Sequence, residues 1–244
     1  MGYKLGLVSV SFRGCSPTEI LTAMKAAGLD YIEWGSDVHA PPGKAEELAL
    51  LQKSYGIACC SYGTYFRLGV TPMEELPAYI AAAKRLGTDI LRLWCGNKNS
   101  EEYTEEEKEE LFSACRAAAD IAEESGVVLC MECHNKTYTN RKEAAFELMQ
   151  TVGSESFRMY WQPNQHRTEA ENLEYAGLLS SYTVNIHVFN WKGKEKYPLG
   201  DAKALWKKYL DCFDTDRALL LEFMPDGKLE TLKAEAGALR EIIK

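Results

Sequence analysis

The sequence predicts a single (β/α)8 barrel spanning residues 1–244, and three observations carry that prediction. Eight short apolar segments of strand length alternate with amphipathic helical segments, the order expected of parallel strands joined by helical crossovers. Glycines recur between a helical segment and the strand that follows it, at Gly28, Gly56, Gly87, Gly126 and Gly153. Each fits a helix C′ position, where the left-handed backbone carries no steric penalty for glycine. No change of composition divides the chain, and 46% hydrophobic with 26% charged residues supplies a large core. A doubly wound sheet is the alternative, but no nucleotide-binding glycine loop accompanies the repeated units.

The elements follow in order. Strand 1 is expected over 4–11, where the apolar residues of MGYKLGLVSVSF form no cleavable signal pattern. A myristoylation signal is excluded by Gly6, which stands where Ser or Thr is required. The first helix opens at Ser16-Pro17-Thr18-Glu19, with an N-cap hydroxyl, proline at N1 and a capping-box glutamate. Strands are expected over 31–34 and 57–62, and Thr71-Pro72-Met73-Glu74 then repeats the same helix-start signature. Strand 4 covers 90–94. Thr104 and Glu107 form a capping box without proline, and EEYTEEEKEE sets negative charge against the positive end of a long helix. The remaining strands are expected over 127–132, 157–161, 182–187 and 218–222, and LETLKAEAGALREIIK closes the chain as a helix.

Charge and composition exclude several functions. The net charge is −8 with no lysine- or arginine-rich run, which argues against nucleic acid or an anionic membrane surface as partner. No apolar run approaches the roughly 20 residues of a membrane span. Eight cysteines in a chain of this length do not form a secreted disulfide framework. Cys130 and Cys133 form a CxxC, yet they stand on a strand, where residues i and i+3 point to opposite faces and cannot share an ion. Reduced, structural thiols and a cytoplasmic location are therefore expected.

In such barrels the chemistry lies at the C-terminal ends of the strands. Strand 5 ends at Glu132, strand 6 at Gln162, strand 7 at His187 and strand 8 at Glu222. Singly, each has a bland reading as a cap, a salt-bridge partner or a satisfied core residue. Together they converge on the barrel mouth, where unpaired carboxylates are costly without a cation. Oxygen-rich ligation with one imidazole suits Mn²⁺ first, and also Mg²⁺, Co²⁺ or Zn²⁺. A structural zinc site would more typically be closed by cysteines.

The order Glu, Asp-like, His, Glu on strands 5 to 8 resembles the xylose-isomerase-like TIM-barrel superfamily. This group holds sugar isomerases and epimerases, inosose dehydratase and the family 2 AP endonucleases. The resemblance spans essentially the whole chain. GLDYIEWGSDVHAPPG, SYGTYFRLG, LRLWCGNKNS, MECHNKT, YWQPN and HVFNW are similar to a subfamily labelled sugar phosphate isomerase/epimerase. It implies Glu132, Gln162, His187 and Glu222 as metal ligands. It also implies that Glu132 and Glu222 exchange protons with the substrate from opposite faces, as in ketose 3-epimerases. Those enzymes carry Asp where this chain has Gln162, and a substrate-contacting His where it has Gln165. The second role is therefore not carried over to the neighbouring His166. A glutamine carbonyl can coordinate a hard ion but adds no charge, so weaker binding and a stronger Lewis acid are expected; loss of the site is the competing reading.

The chemistry implied is proton abstraction next to a carbonyl through an enediolate, giving epimerisation or aldose–ketose isomerisation. An inosose-dehydratase-type lyase and a metal-free carbohydrate-binding barrel are the alternatives. An endonuclease fits poorly, with four histidines in all (His39, His134, His166, His187) and an acidic balance. The expected partner is a small sugar or polyol, and a homodimer is an assembly such barrels often form. Glu33, Trp34 and His39 are candidate substrate contacts after strand 2, Glu33 having a salt bridge to a barrel arginine as its plainer role. Arg92 is a candidate contact that commonly pairs with a carboxylate, Glu33 or Glu132. Tyr62, Tyr65, Trp94 and Trp191 are candidate sugar-facing walls, and His134 can support Glu132 from behind. Lys192, Lys194 and Lys196 in the strand 7 loop offer a phosphate site or, more plainly, a solvated surface.

Overall fold

The computed structural model describes residues 2–244. Eight strands form the barrel: β1 Lys4–Val8, β2 Tyr31–Gly35, β3 Ala58–Leu68, β4 Ile90–Cys95, β5 Val128–Glu132, β6 Phe157–Trp161, β7 Thr183–Val188 and β8 Ala218–Leu221. They close in the order β1-β8-β7-β6-β5-β4-β3-β2 with parallel pairing throughout. The helices between them are α1 Pro17–Ala27, α2 Ala45–Ser54, α3 Leu76–Leu86, α4 Glu105–Ser125, α5 Lys142–Val152, α6 Glu169–Leu179, α7 Lys203–Leu210 and α8 Leu232–Ile242. A small hairpin, Trp191–Lys192 against Glu195–Lys196, sits between β7 and α7.

Strand alternation sorts the side chains into two cores. The larger core lies between strands and helices and includes Ile32, Trp34, Leu91, Leu93, Leu129, Met131, Ile186 and Leu219. The smaller fills the lumen with Val8, Val10, Cys130, Tyr160, Ala218 and Leu220. Cys130 and Cys133 fall into different cores, as opposite strand faces require, and all eight cysteines are free. The five helix-end glycines have φ between 61° and 87°. No helix among the described residues is long and apolar enough to cross a membrane.

The Ser16–Glu19 and Thr104–Glu107 capping boxes form, and Thr168–Glu171 adds another. Three expectations are corrected. Strand 1 stops at Val8, because residues 9–12 turn as a 3₁₀ segment whose Ser9 hydroxyl accepts a 2.9 Å bond from the Gly35 amide. Thr71 caps no helix: its hydroxyl accepts from the Arg67 amide (3.0 Å) and closes the end of β3, while α3 begins only at Leu76. Strand 3 continues past Tyr62 to Leu68, with an irregular register against β4 between Gly63 and Arg67. A glycine inside a strand ordinarily marks a bend or the end of the pattern; here the strand bends and goes on, carrying Arg67 up to the barrel mouth.

Candidate metal centre

Adjacent strands deliver four side chains to one point. His187 on β7 is fully buried, and its Nδ1 lies 3.1 Å from Gln162 Oε1, 3.4 Å from Glu132 Oε1 and 3.6 Å from Glu222 Oε2. The amide of Gln162 is oriented by its other end, whose Nε2 donates to the Cys133 carbonyl (3.4 Å), leaving Oε1 turned to the imidazole. The Cys133 thiol in turn bonds the Gln162 backbone. All four predicted ligands therefore meet, although their sequence positions span ninety residues.

This arrangement passes a test of fit for a divalent ion. Donors sharing one ion at bond lengths of about 2.1 Å stand about 3.0–3.4 Å apart, close to the spacing around Nδ1. The ligating atoms of Glu132, His187 and Glu222 all lie within 4.8 Å of one another. Charge agrees with geometry. Three buried carboxylates, Glu33, Glu132 and Glu222, face one guanidinium, Arg92, so with a neutral imidazole the cluster lacks two positive charges. In the absence of an ion the imidazole answers that demand itself. Burial opposes its protonation, but Glu222 and Glu33 outweigh burial and raise the His187 pKa to about 10.

The remaining inward side chains hold the ligands in place. Arg92 donates through Nε to Glu33 Oε1 and through Nη1 to Glu132 Oε2, both at 2.8 Å. Trp94 Nε1 donates to the same Glu132 oxygen. Burial would raise both carboxyl pKa values, yet Arg92 dominates and holds Glu132 far below the carboxylate range and Glu33 at about 2. Glu222 differs. Burial raises its pKa, His187 at 3.6 Å opposes the rise and Glu132 reinforces it, and no hydrogen-bond donor among the described residues reaches its carboxylate. Glu33 also accepts from Ser61 Oγ (2.9 Å) and stands 3.5 Å from His187 Nε2; fully buried, it forms the salt bridge to the barrel arginine.

Gly63 makes room for this network. A Cβ there would stand 2.6 Å from Glu33 Oε1 and 2.7 Å from Arg92 Nη2. Both groups are fixed by their ion pair, so Gly63→Ala is expected to destabilise the fold by about 1–3 kcal/mol through overpacking. Urea denaturation would measure this, and a wild-type midpoint would refute the claim.

Several predicted substrate contacts are corrected by the direction of their strands. Trp34 and Tyr62 point outward to the helices, because Glu33 and Ser61, beside them in sequence, point in. The Trp34 indole donates to Gln52 on α2 (2.7 Å), and the Tyr62 hydroxyl donates to the Ala40 carbonyl (2.6 Å) while its ring packs on Tyr79 of α3. His39 is buried against Trp34, with ring nitrogens engaged by Ser9 Oγ (3.1 Å) and the Cys15 carbonyl (3.2 Å), so it is held in the loop rather than offered to a ligand. Burial lowers its pKa. By contrast, Trp94 and Tyr65 form an edge-to-face pair at 5.0 Å, and His134 stacks on Trp94 at 5.6 Å. Trp191 packs beside Phe223, the neighbour of Glu222. Lys136 and Phe223 are the only non-glycine residues with positive φ among those described, and both lie at the mouth, where functional sites commonly keep strained backbone. Sequence reasoning missed Arg67 and Tyr160. Tyr160 was signalled by its two-residue spacing from Gln162, whereas the irregular register of β3 between Gly63 and Arg67 left no such signal for Arg67.

The sequence of the xylose isomerase-like TIM barrel family matches residues 21–233. Among solved structures, the probable 3-DHS dehydratase AsbF of Bacillus anthracis, involved in petrobactin synthesis, superposes with a TM-score of 0.80 at 18% identity, covering 98% of this chain and 99% of that one. D-allulose 3-epimerase of Methylomonas sp., solved with D-allulose, gives 0.75 at 14% identity over 100% and 98%. The IolI protein, solved with a zinc atom, gives 0.74 at 17% over 98% of both chains. At such identities these likenesses speak for the fold. No curated protein matches the sequence.

Proposed function

The chain belongs to the xylose isomerase-like TIM barrel family, and from that membership we propose that it is a divalent-metal-dependent isomerase or epimerase of sugars or polyols. One observation carries the reading: Gln162 Oε1, Glu132 Oε1 and Glu222 Oε2 surround His187 Nδ1 at 3.1–3.6 Å in a buried cluster short of positive charge. These four residues would hold the ion, with Mn²⁺ the best match to their donors. When bound, the ion supplies Lewis-acid polarisation of a substrate carbonyl.

The rest of the chemistry belongs to the glutamates. Removing a proton from the carbon next to a carbonyl leaves an enediolate, and the carboxylate that takes the proton becomes a carboxylic acid. Glu132 and Glu222 are pushed apart in acidity by their surroundings, the usual mark of an acid and base working as a pair. Arg92 and Trp94 hold Glu132 ionised and fix one of its oxygens, leaving Oε1 facing the cluster. Glu222 has no donor to hold it ionised and can carry a proton. Return of the proton to the opposite face of the same carbon gives epimerisation, and return to the neighbouring carbon gives isomerisation. A carboxyl that holds a proton also suits expulsion of a β-hydroxyl as water, so an inosose-dehydratase-type lyase is the second reading, distinguished by its product.

The test is elemental analysis of tag-free protein after incubation with Mn²⁺, followed by exchange of substrate carbon-bound hydrogen in heavy water. About one ion per chain with exchange from a ketose is expected; a protein that retains no divalent ion would overturn the reading and favour a metal-free binding barrel. Gln162→Glu keeps the side-chain length and adds the missing charge. It should tighten Mn²⁺ binding by about tenfold or more, because affinity follows the charge count of the ligands. Competition against a chelating dye measures the change, and unchanged or weaker binding would remove Gln162 from the site.

A further inference from the structure

Arg67 stands beside Trp94 in the register of β3 and β4, and its guanidinium carbon lies 4.1 Å from the centre of the indole ring. The same indole donates to Glu132, so Arg67 covers the outer face of a ring whose edge touches the cluster. Stacking sets the plane of the guanidinium. Nη1 is occupied, donating to the carbonyls of Gly96 (2.9 Å) and Lys136 (3.4 Å). Nε and Nη2, which share one edge of the group, have no protein acceptor and are not among the buried unpartnered atoms, so this edge reaches solvent.

The other arginines at the mouth are neutralised: Arg13 by Asp37, and Arg92 by Glu33 and Glu132. No carboxylate among the described residues lies within 4.0 Å of the Arg67 guanidinium. Across the mouth Lys196 repeats the arrangement, its Nζ 5.1 Å from the Trp191 ring and 4.8 Å from that of Phe223, again without a carboxylate partner. On a chain of net charge −8 the Arg67 edge is an isolated unpaired cation, while Lys196 shares its hairpin with Lys192 and Lys194. An edge of two parallel N–H groups matches the two oxygens of a carboxylate or a phosphate, which a hydroxyl cannot reproduce.

We propose that the substrate carries an oxyanion, a carboxylate or a phosphate monoester, and that the free edge of Arg67 binds it with Lys196 adding charge from the opposite wall. The inference rests on the reading of the barrel mouth as the substrate face and names the class of substrate that face selects. Arg67 selects the substrate and takes no part in the proton transfers.

The experiment is calorimetric titration of the Mn²⁺-incubated protein with two matched pairs, D-gluconate against D-glucitol and D-ribose 5-phosphate against D-ribose. In the wild type the anionic member of at least one pair should bind about 10- to 100-fold more tightly than its neutral partner, the range expected of a charge-assisted bidentate bond. The pair that shows the preference tells a carboxylate from a phosphate. Arg67→Gln should erase the preference while leaving the neutral member unchanged, and Arg67→Lys should restore part of it. Equal binding within both pairs, no binding by either anion at millimolar concentration, or a preference that survives in Arg67→Gln would each overturn the proposal. Thermal melting of both variants separates misfolding from lost recognition. Metal content is read on the same samples, so retention of the ion without anion preference refutes this inference alone, whereas absence of the ion refutes the proposed function.

Discussion

Glu222→Gln is expected to lower proton exchange by about a thousandfold, the usual contribution of a general acid–base group. The substitution keeps size and shape, and a carboxamide oxygen still stands near His187 Nδ1. What it removes is the capacity to take up and release a proton, together with one of the charges that hold the ion. The two losses can be told apart. Metal titration should show weaker binding, and exchange measured at saturating Mn²⁺ should stay low after occupancy is restored. Recovery to within tenfold of wild type at saturation would mean that Glu222 is only a ligand. The proton transfers would then belong to Glu132 alone.

Arg92→Leu is expected to cost about 3–5 kcal/mol of stability, because it leaves two buried carboxylates without their counter-ion. Arg92, Glu33 and Glu132 are each no more than 5% exposed, so solvent does not screen their pairing. Urea denaturation of the metal-free protein measures the loss, and a change below about 1 kcal/mol would place the weight of the pairing elsewhere. The pH dependence gives an independent check. Glu33 has its pKa depressed from 4.5 to about 2 in the folded protein, where Arg92 and then His187 overcome the effect of burial. A depressed carboxyl contributes stability that is fully present above its unfolded pKa and is lost as pH falls through the folded one. The wild type should therefore lose this contribution between about pH 4.5 and 2, and Arg92→Leu should show a flatter acid limb.

The barrel was legible because its signals are local. A glycine after an apolar helix face, a hydroxyl three residues before a glutamate and an apolar run of strand length each report on a few neighbouring residues. The four ends of strands 5 to 8 were legible for the same reason, since those strands are short and each places its polar residue within one position of its last residue. Strand 3 was not. Its glycine at 63 and its irregular register hide where the strand stops, and with that the position of Arg67.

By itself the sequence determined the eightfold alternation, the helix ends, and the placing of Glu132, Gln162, His187 and Glu222 at neighbouring strand ends. A period of two also establishes that neighbours on a strand face opposite ways. It leaves open which of the two faces the lumen, and so Trp34 and Tyr62 read as candidates until closure of the barrel turned them to the helices. The sequence offered Glu33 and Glu132 as alternative partners of Arg92; tertiary structure decided that it bridges both, 59 and 40 positions away. It also left Glu222 without a donor and Arg67 without a carboxylate. The physical reason is that charge partners are chosen by distance across the lumen, and that distance is set by how eight strands close, which no local pattern encodes.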